Sequence, residues 1–153
     1  MRTIEPWVEV PLGAFLTESA ARVTLLMTAS GQVVAQHGFT RSLDVMAAAA
    51  LGAGILAATF ELAKVMGAPP LDSVVHQGTE LGIYLAAFDT PRGRWIGLVV
   101  FGPETSIGLV QLFFGRLALD LAHSAPVAEP PRQLLAEDFE AELNASLRAL
   151  FGR

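Results

Sequence analysis

The segment Ser42–Gly67, SLDVMAAAALGAGILAATFELAKVMG, reads as one long helix and constrains the rest of the chain. Ala and Leu fill its interior, and both are strong helix formers. Ser42 is placed to cap the N-terminus, with Asp44 in the first turn, where a negative charge suits the helix dipole. Gly67 suits the position just past the last turn, and Pro69 and Pro70 forbid continuation. At helical rise the segment spans roughly 35 Å.

Successive residues placed around a helical axis separate into two sides. Val45, Leu51, Gly52, Ile55, Leu56, Leu62 and Met66 share a broad side with the bulk to fill a core against a sheet. Ala47, Ala50, Gly54, Ala57 and Glu61 form a seam of small residues on another side, flanked by Met46, Phe60 and Lys64. The seam carries the helix's last charged residues and is therefore expected to face away from the sheet. It is also too apolar to favour bare solvent. Small side chains let two backbones approach closely, so the seam is expected to pack on another chain, most simply a copy across a two-fold axis. A second helix of the same chain is the alternative cover.

A chain of 153 residues suits one domain with a sizeable core. Its hydrophobic content of 52% and mean hydropathy of +0.48 are high for a soluble domain. Membrane insertion or extensive oligomer burial would each account for them. The uncharged run Val45–Phe60 is shorter than the ~20 residues a bilayer needs, and it is rich in Ala and Gly. No membrane span is expected, and oligomer burial is preferred. The N-terminal MRTIEPWVEV has no apolar core of a secretory signal, and the chain has no Cys. Both favour a cytoplasmic location. A net charge of −5 argues against nucleic-acid binding, which calls for a basic stripe.

Before the long helix, a short irregular first helix is expected, interrupted at Pro11 and Gly13 and anchored by Trp7 and Phe15. Arg22–Ala29 reads as a strand, with Val23, Leu25 and Met27 on one face and Thr24, Leu26 and Thr28 on the other. Ser30-Gly31 is a tight turn into the partner strand Gln32–His37. After the helix come strands at Leu71–Gln77, Leu81–Phe88 and Arg94–Phe101. In the last pair, Ile83, Leu85, Trp95, Val99 and Phe101 are grouped against Tyr84, Phe88, Ile96, Leu98 and Val100. Both faces are apolar, so both must be covered. A helix over Ile107–His123 follows, with Leu109, Leu112, Phe113, Leu117 and Leu121 as its core stripe.

The order is α-β-β-α-β-β-β-α: an α/β/α sandwich with a five-stranded antiparallel sheet, plus a C-terminal tail helix. Residues 1–124 form the domain, residues 125–133 a Pro-rich linker, and residues 134–153 an amphipathic tail helix with Leu135, Phe139, Leu143, Leu147 and Leu150 as its stripe. The tail either packs back on its own domain or enters a groove on a partner.

Catalytic motifs are scarce. Gly52-Ala53-Gly54-Ile55-Leu56-Ala57 fits G-x-G-x-x-A, but no strand precedes it, so a packing role is expected. His37, His76 and His123 lack the helical spacing of a metal pair. No nucleophile elbow or Walker A loop is present. Arg41, Arg92 and Arg94 are the exposed arginines that an arginine finger would require. No catalytic residue, metal or cofactor is assigned, and the chain is not expected to be an enzyme.

The element order resembles the roadblock domain, a dynein-light-chain-like family of small-GTPase regulators. SGQVVAQHG resembles the family's hairpin, the segment Ser42–Gly67 its Ala-rich central helix, VVHQGTELGIYLAAFD its third and fourth strands, and SIGLVQLFFGRLALDLA its closing helix. Within the family, VVHQGTELGIYL is most similar to the bacterial gliding-motility, MglB-like type. The resemblance covers about residues 20–123. It implies a homodimer in which the central helices pair and the strand carrying Val74, Val75 and His76 meets its copy. The interface would then hold Ala47, Ala50, Gly54, Ala57, Phe60, Glu61, Val74, Val75 and His76. It also implies binding of a Ras-like small GTPase, with Glu61 and Lys64 at the edges of the docking surface and Leu135, Phe139, Leu143 and Leu147 of the tail as further contacts. Two alternatives stand beside a GTPase regulator. One is a structural scaffold without effect on GTP turnover. The other is a small-ligand sensor with a gap beside Ala48, Gly52 and Thr59.

Overall fold

The sheet is ordered β2-β1-β5-β4-β3 and every neighbouring pair is antiparallel. Its strands are β1 (Val23–Thr28), β2 (Val33–Gly38), β3 (Ser73–Gln77), β4 (Gly82–Thr90) and β5 (Gly93–Phe101). Helices α1 (Pro6–Ser19) and α3 (Ile107–Ser124) cover one face, and α2 (Val45–Val65) lies on the other. The computed structural model describes residues 5–41, 43–124, 141 and 143–150. Within them the expected order and sandwich are present. Leu135 and Phe139 lie outside the described residues, as does Ser42.

The register of the central hairpin decides which side chains share a face. Tyr84 sits opposite Val99, Leu85 opposite Leu98 and Phe88 opposite Trp95. Directly opposed residues point the same way. Leu85, Ile96 and Leu98 therefore join Val23, Leu25, Met27 and Leu56 under α2, with Ile83 and Val100 packed alongside. Tyr84, Phe88, Trp95, Val99 and Phe101 join Leu26, Phe15 and Phe114 under α1 and α3. The expected grouping of Ile83 and Leu85 with Trp95, Val99 and Phe101 is thus wrong by one strand. The division within each strand is correct, but the turn from Asp89 to Arg94 sets which halves meet.

The α1/α3 layer is rich in aromatics. Phe114 receives Phe15, Tyr84 and Phe88 edge to face, at centroid distances of 5.9, 5.4 and 5.5 Å. Each such contact is worth about 0.5–1.5 kcal/mol beyond burial. The α3 core stripe is Val110, Phe114, Leu117 and Leu121, with Phe113 partly buried, whereas Leu109 and Leu112 are exposed. The helix is rolled by about one residue from the expected stripe.

Helix α1 is continuous, not interrupted. Pro6 occupies a first-turn position, where its missing N–H costs nothing, and Pro11 is absorbed inside the helix. Trp7 and Phe15 anchor it as expected: Trp7 stacks on Trp95 at 5.6 Å and Phe15 is buried. The Trp7 indole also donates to the Glu5 carboxylate, and the Arg92 guanidinium lies over the Trp7 ring at 5.6 Å. Packing onto the sheet offsets the lost helical bond at Pro11.

At α2 the cap is Asp44, whose carboxylate accepts from the Ala47 N–H at 3.1 Å. The C-terminal end behaves as expected: Gly67 takes φ +64 and its N–H bonds the Lys64 carbonyl at 3.1 Å.

Candidate interaction surface

Helix α2 meets the sheet with its small residues. Ala49, Gly52, Ala53, Leu56 and Ala63 are its buried positions. A Cβ added at Gly52 would stand 3.2 Å from both Leu85 and Leu98, so the backbone is already at contact distance there. The turn at Gly31, with φ +91, closes on the same helix beside Ala49, Ala50 and Ala53. The sheet supplies the bulk in Leu25, Met27, Leu85, Ile96 and Leu98, and the helix supplies flatness. This corrects the expected roll. Leu51 (69%), Leu62 (54%), Ile55 and Met66 are exposed rather than buried in the core. It also removes the gap expected at Gly52. Gly52 and Gly54 both lie mid-helix, away from any strand–helix turn, so the dinucleotide pattern has no structural basis.

The outward side of α2 is almost entirely apolar. The seam residues Ala47, Ala50, Gly54, Ala57 and Glu61 are all exposed, as expected, and nothing lies within 4 Å of a Cβ built at Gly54. Beside the seam stand the exposed Met46, Leu51, Ile55, Leu62 and Val65. The charges on this side are Glu61 and Lys64, which pair with each other at 3.2 Å. By length and composition α2 would suffice to cross a membrane, but its inner side is one wall of the sandwich.

Near the helix's C-terminal end an open groove of about 400 Å³ is lined by Ala57, Phe60, Glu61, Ala63, Lys64, Ala68 and Pro70. Phe60 is half-buried at its wall, and the Arg94 guanidinium lies 5.5 Å over that ring while bonding the Asp89 carboxylate at 3.1 Å. Arg92 pairs with Glu5 at 3.5 Å besides covering Trp7. Two of the three arginines considered as fingers thus hold their own fold together, and Arg41 is exposed. The Arg94–Asp89 link escapes the sequence reading, although opposite charges bracketing a short hairpin turn are there to be seen.

The second open feature is the β3 edge. β3 pairs on one side with β4 and forms the border of the sheet. The Ala87 N–H bonds the Asp72 carbonyl at 2.8 Å and the Gly78 N–H bonds the Leu81 carbonyl at 2.7 Å. These bonds fix the phase of the ladder: Asp72, Val74, His76 and Gly78 spend their backbone groups on β4. Ser73, Val75 and Gln77 aim theirs at the open edge. Val74 packs under α2, while Val75 and His76 are exposed. The α2 seam and the β3 edge are thus both free to meet another chain.

Of the expected partner contacts, Glu61 and Lys64 sit on the groove rim, and Leu143 and Leu147 are exposed on a helical stretch. Among the described residues no cluster of His, Asp or Glu is arranged to hold a metal ion.

No family model and no curated protein matches the chain. Solved structures do. MglB from Myxococcus xanthus is 26% identical with a TM-score of 0.68, over 78% of this chain and 96% of that one. The gliding protein MglB from Thermus thermophilus is 28% identical with a TM-score of 0.70, over 82% and 93%. A roadblock/LC7 domain from Streptomyces avermitilis, at 16% identity, shares the fold alone: its TM-score is 0.60 over 69% of this chain and 87% of that one. By these likenesses the chain has the roadblock fold, and in sequence and structure it is similar to MglB proteins.

Proposed function

We propose that the chain acts as a cytoplasmic homodimer that binds a small Ras-like GTPase and modulates its GTP hydrolysis or nucleotide state, in gliding motility, the process for which the Thermus relative is named. The observation that carries this reading is the outward side of α2. One long helix presents an apolar, flat face beside an unpaired sheet edge, and its charges are confined to the Glu61–Lys64 pair. Pairing two such chains through α2 and the outward backbone groups of Ser73, Val75 and Gln77 would bury that face. It would also make a continuous two-helix platform. The chain is not read as an enzyme: the dimer would act by ordering the GTPase's switch loops and so favouring one nucleotide state.

The test is retention of a Ras-like GTPase on the immobilised protein. Stronger retention with a GTP analogue than with GDP is expected. Equal retention in both states ends the regulatory reading, because equal affinity shifts no equilibrium. One observation favours a scaffold that leaves turnover unchanged: Arg92 and Arg94 are engaged within the fold. GTP hydrolysis measured with and without the protein separates the two.

A further inference from the structure

The outer side of α3 is a second apolar surface, on the opposite face of the sandwich from α2. Gly108, Leu112, Gly115, Leu119 and Ala122 follow one another at helical spacing and are all exposed. Leu112 is 65% and Leu119 62% exposed. The helix's charged residues lie to one side of this stripe. Arg116 bonds Glu18 of α1 at 3.1 Å, and Asp120 lines the cleft between α1 and α3. Gly115 sits in mid-helix, where Gly costs about 1 kcal/mol relative to Ala. Nothing lies within 4 Å of a Cβ built there, so the described fold gives no return on that cost.

We infer that the occupant of this surface is the chain's own tail helix, folded back antiparallel on α3. The chain leaves α3 at Ser124, and residues 143–150 are again helical, with Leu143, Leu147 and Leu150 exposed. Those leucines continue the sequence stripe of Leu135 and Phe139. The intervening Pro-containing residues 125–133 reach about 30 Å when extended. Packed helices need only about 8–10 Å between axes. A reversal about the middle of that linker sets Leu143 opposite Gly115 and Leu150 opposite Gly108. Leu143 and Leu150 then each face a glycine, as interdigitating helices require, while Leu147 falls opposite Gln111. The match joins two unpartnered apolar stripes of one chain, and it does not depend on the GTPase reading. If a partner also takes the tail, it must first lift it from α3.

The chain has no Cys, so pairs can be introduced cleanly. The full-length double variant Gly115→Cys with Leu143→Cys, treated with a short bismaleimide, is expected to cross-link within one chain. The control pair Gly54→Cys with Leu143→Cys is expected not to. In a second measurement, Gly115→Leu fills the receiving position on an exposed helix face, where the fold tolerates it. Hydrogen exchange of the tail amides should then quicken roughly tenfold while β1 and β5 keep their protection. Absence of the 115–143 cross-link, equal reaction of the control pair, or tail exchange unchanged in Gly115→Leu would each overturn the proposal. A cross-link formed only between chains overturns it as well, and assigns the surface to a second copy.

Discussion

Arg94 carries its guanidinium 5.5 Å over the ring of Phe60 while bonding Asp89 at 3.1 Å. Through this residue the tip of the β4–β5 hairpin reaches across to the outer rim of α2. Phe60, which lines the α2 groove, is therefore held in place by a residue of the hairpin. Arg94→Ala should lower unfolding free energy by about 0.5–1 kcal/mol, the range for an exposed cation–π contact. Arg94→Lys should retain the charge and recover part of the loss, since the planar guanidinium stacks better than an ammonium. Urea denaturation of the three proteins checks this.

The α2 seam gives the sharpest test of self-association. Gly54→Glu and Ala50→Arg should each yield a monomer by light scattering. In both, a bulky charge would be forced into a close helix contact. Gly54 has open space around it within its own chain, so Gly54→Glu should leave the unfolding transition of the protomer little changed. A Gly54→Glu protein that stays dimeric would place the interface on the Leu51, Ile55 and Leu62 flank instead.

The sheet edge is testable separately, because the phase of its ladder is known. Val75 directs its N–H away from β4, so Val75→Pro removes an outward donor and leaves the β3–β4 bonds of Val74 and His76 intact. Weaker dimerisation with an unchanged circular dichroism spectrum is the expected outcome. Val74→Pro serves as the control: it removes a ladder bond and should destabilise the fold itself.

These surfaces are unequally legible from sequence. The order of elements follows from hydrophobic period and turn residues, and Gly31 and Gly67 mark chain reversals that the structure places where they are expected. Helix roll is not legible. On α2, size alone assigns the larger residues inward, yet the sheet's own Leu85 and Leu98 already fill that space, so Gly52 and Ala53 are needed there. On α3 the same logic favours Leu109 and Leu112 over Val110 and Phe114. A helix's apolar positions show that it has a core side. Which side it is depends on the volume of the opposing layer. The face assignment in β4 and β5 fails for a related reason: strand parity is local, and the turn between Asp89 and Arg94 links the two parities.

Trp7 offers a test of how far α1 depends on the sheet. Its ring is stacked on Trp95 and covered by Arg92, at the end of the helix nearest the hairpin tip. Trp7→Ala should cost about 2 kcal/mol, less than the full penalty for a buried aromatic because the ring is only half-buried. The loss should concentrate in the first turns, where Pro11 has already removed a helical bond. Faster amide exchange from Val8 to Leu12, with β1 unaffected, is the expected pattern.

Arg22 and Glu104 close the opposite end of the sheet through two bonds, at 2.7 and 3.1 Å. The hydrogen bond from Arg22, aided by a backbone N–H, holds the Glu104 carboxyl below its ordinary value of 4.5. A depressed carboxylate binds fewer protons in the folded state than in the unfolded one between the two values. Its contribution to stability is therefore present in full above 4.5 and is lost as pH falls through the folded value. Both groups are well exposed to solvent, so the effect on stability is small and the titration itself is the better readout. Carboxyl NMR should show Glu104 titrating below the ordinary glutamate range in the native chain. In Arg22→Ala its midpoint should move up. A midpoint that does not respond would mean the pair seen at Arg22 does not persist in solution.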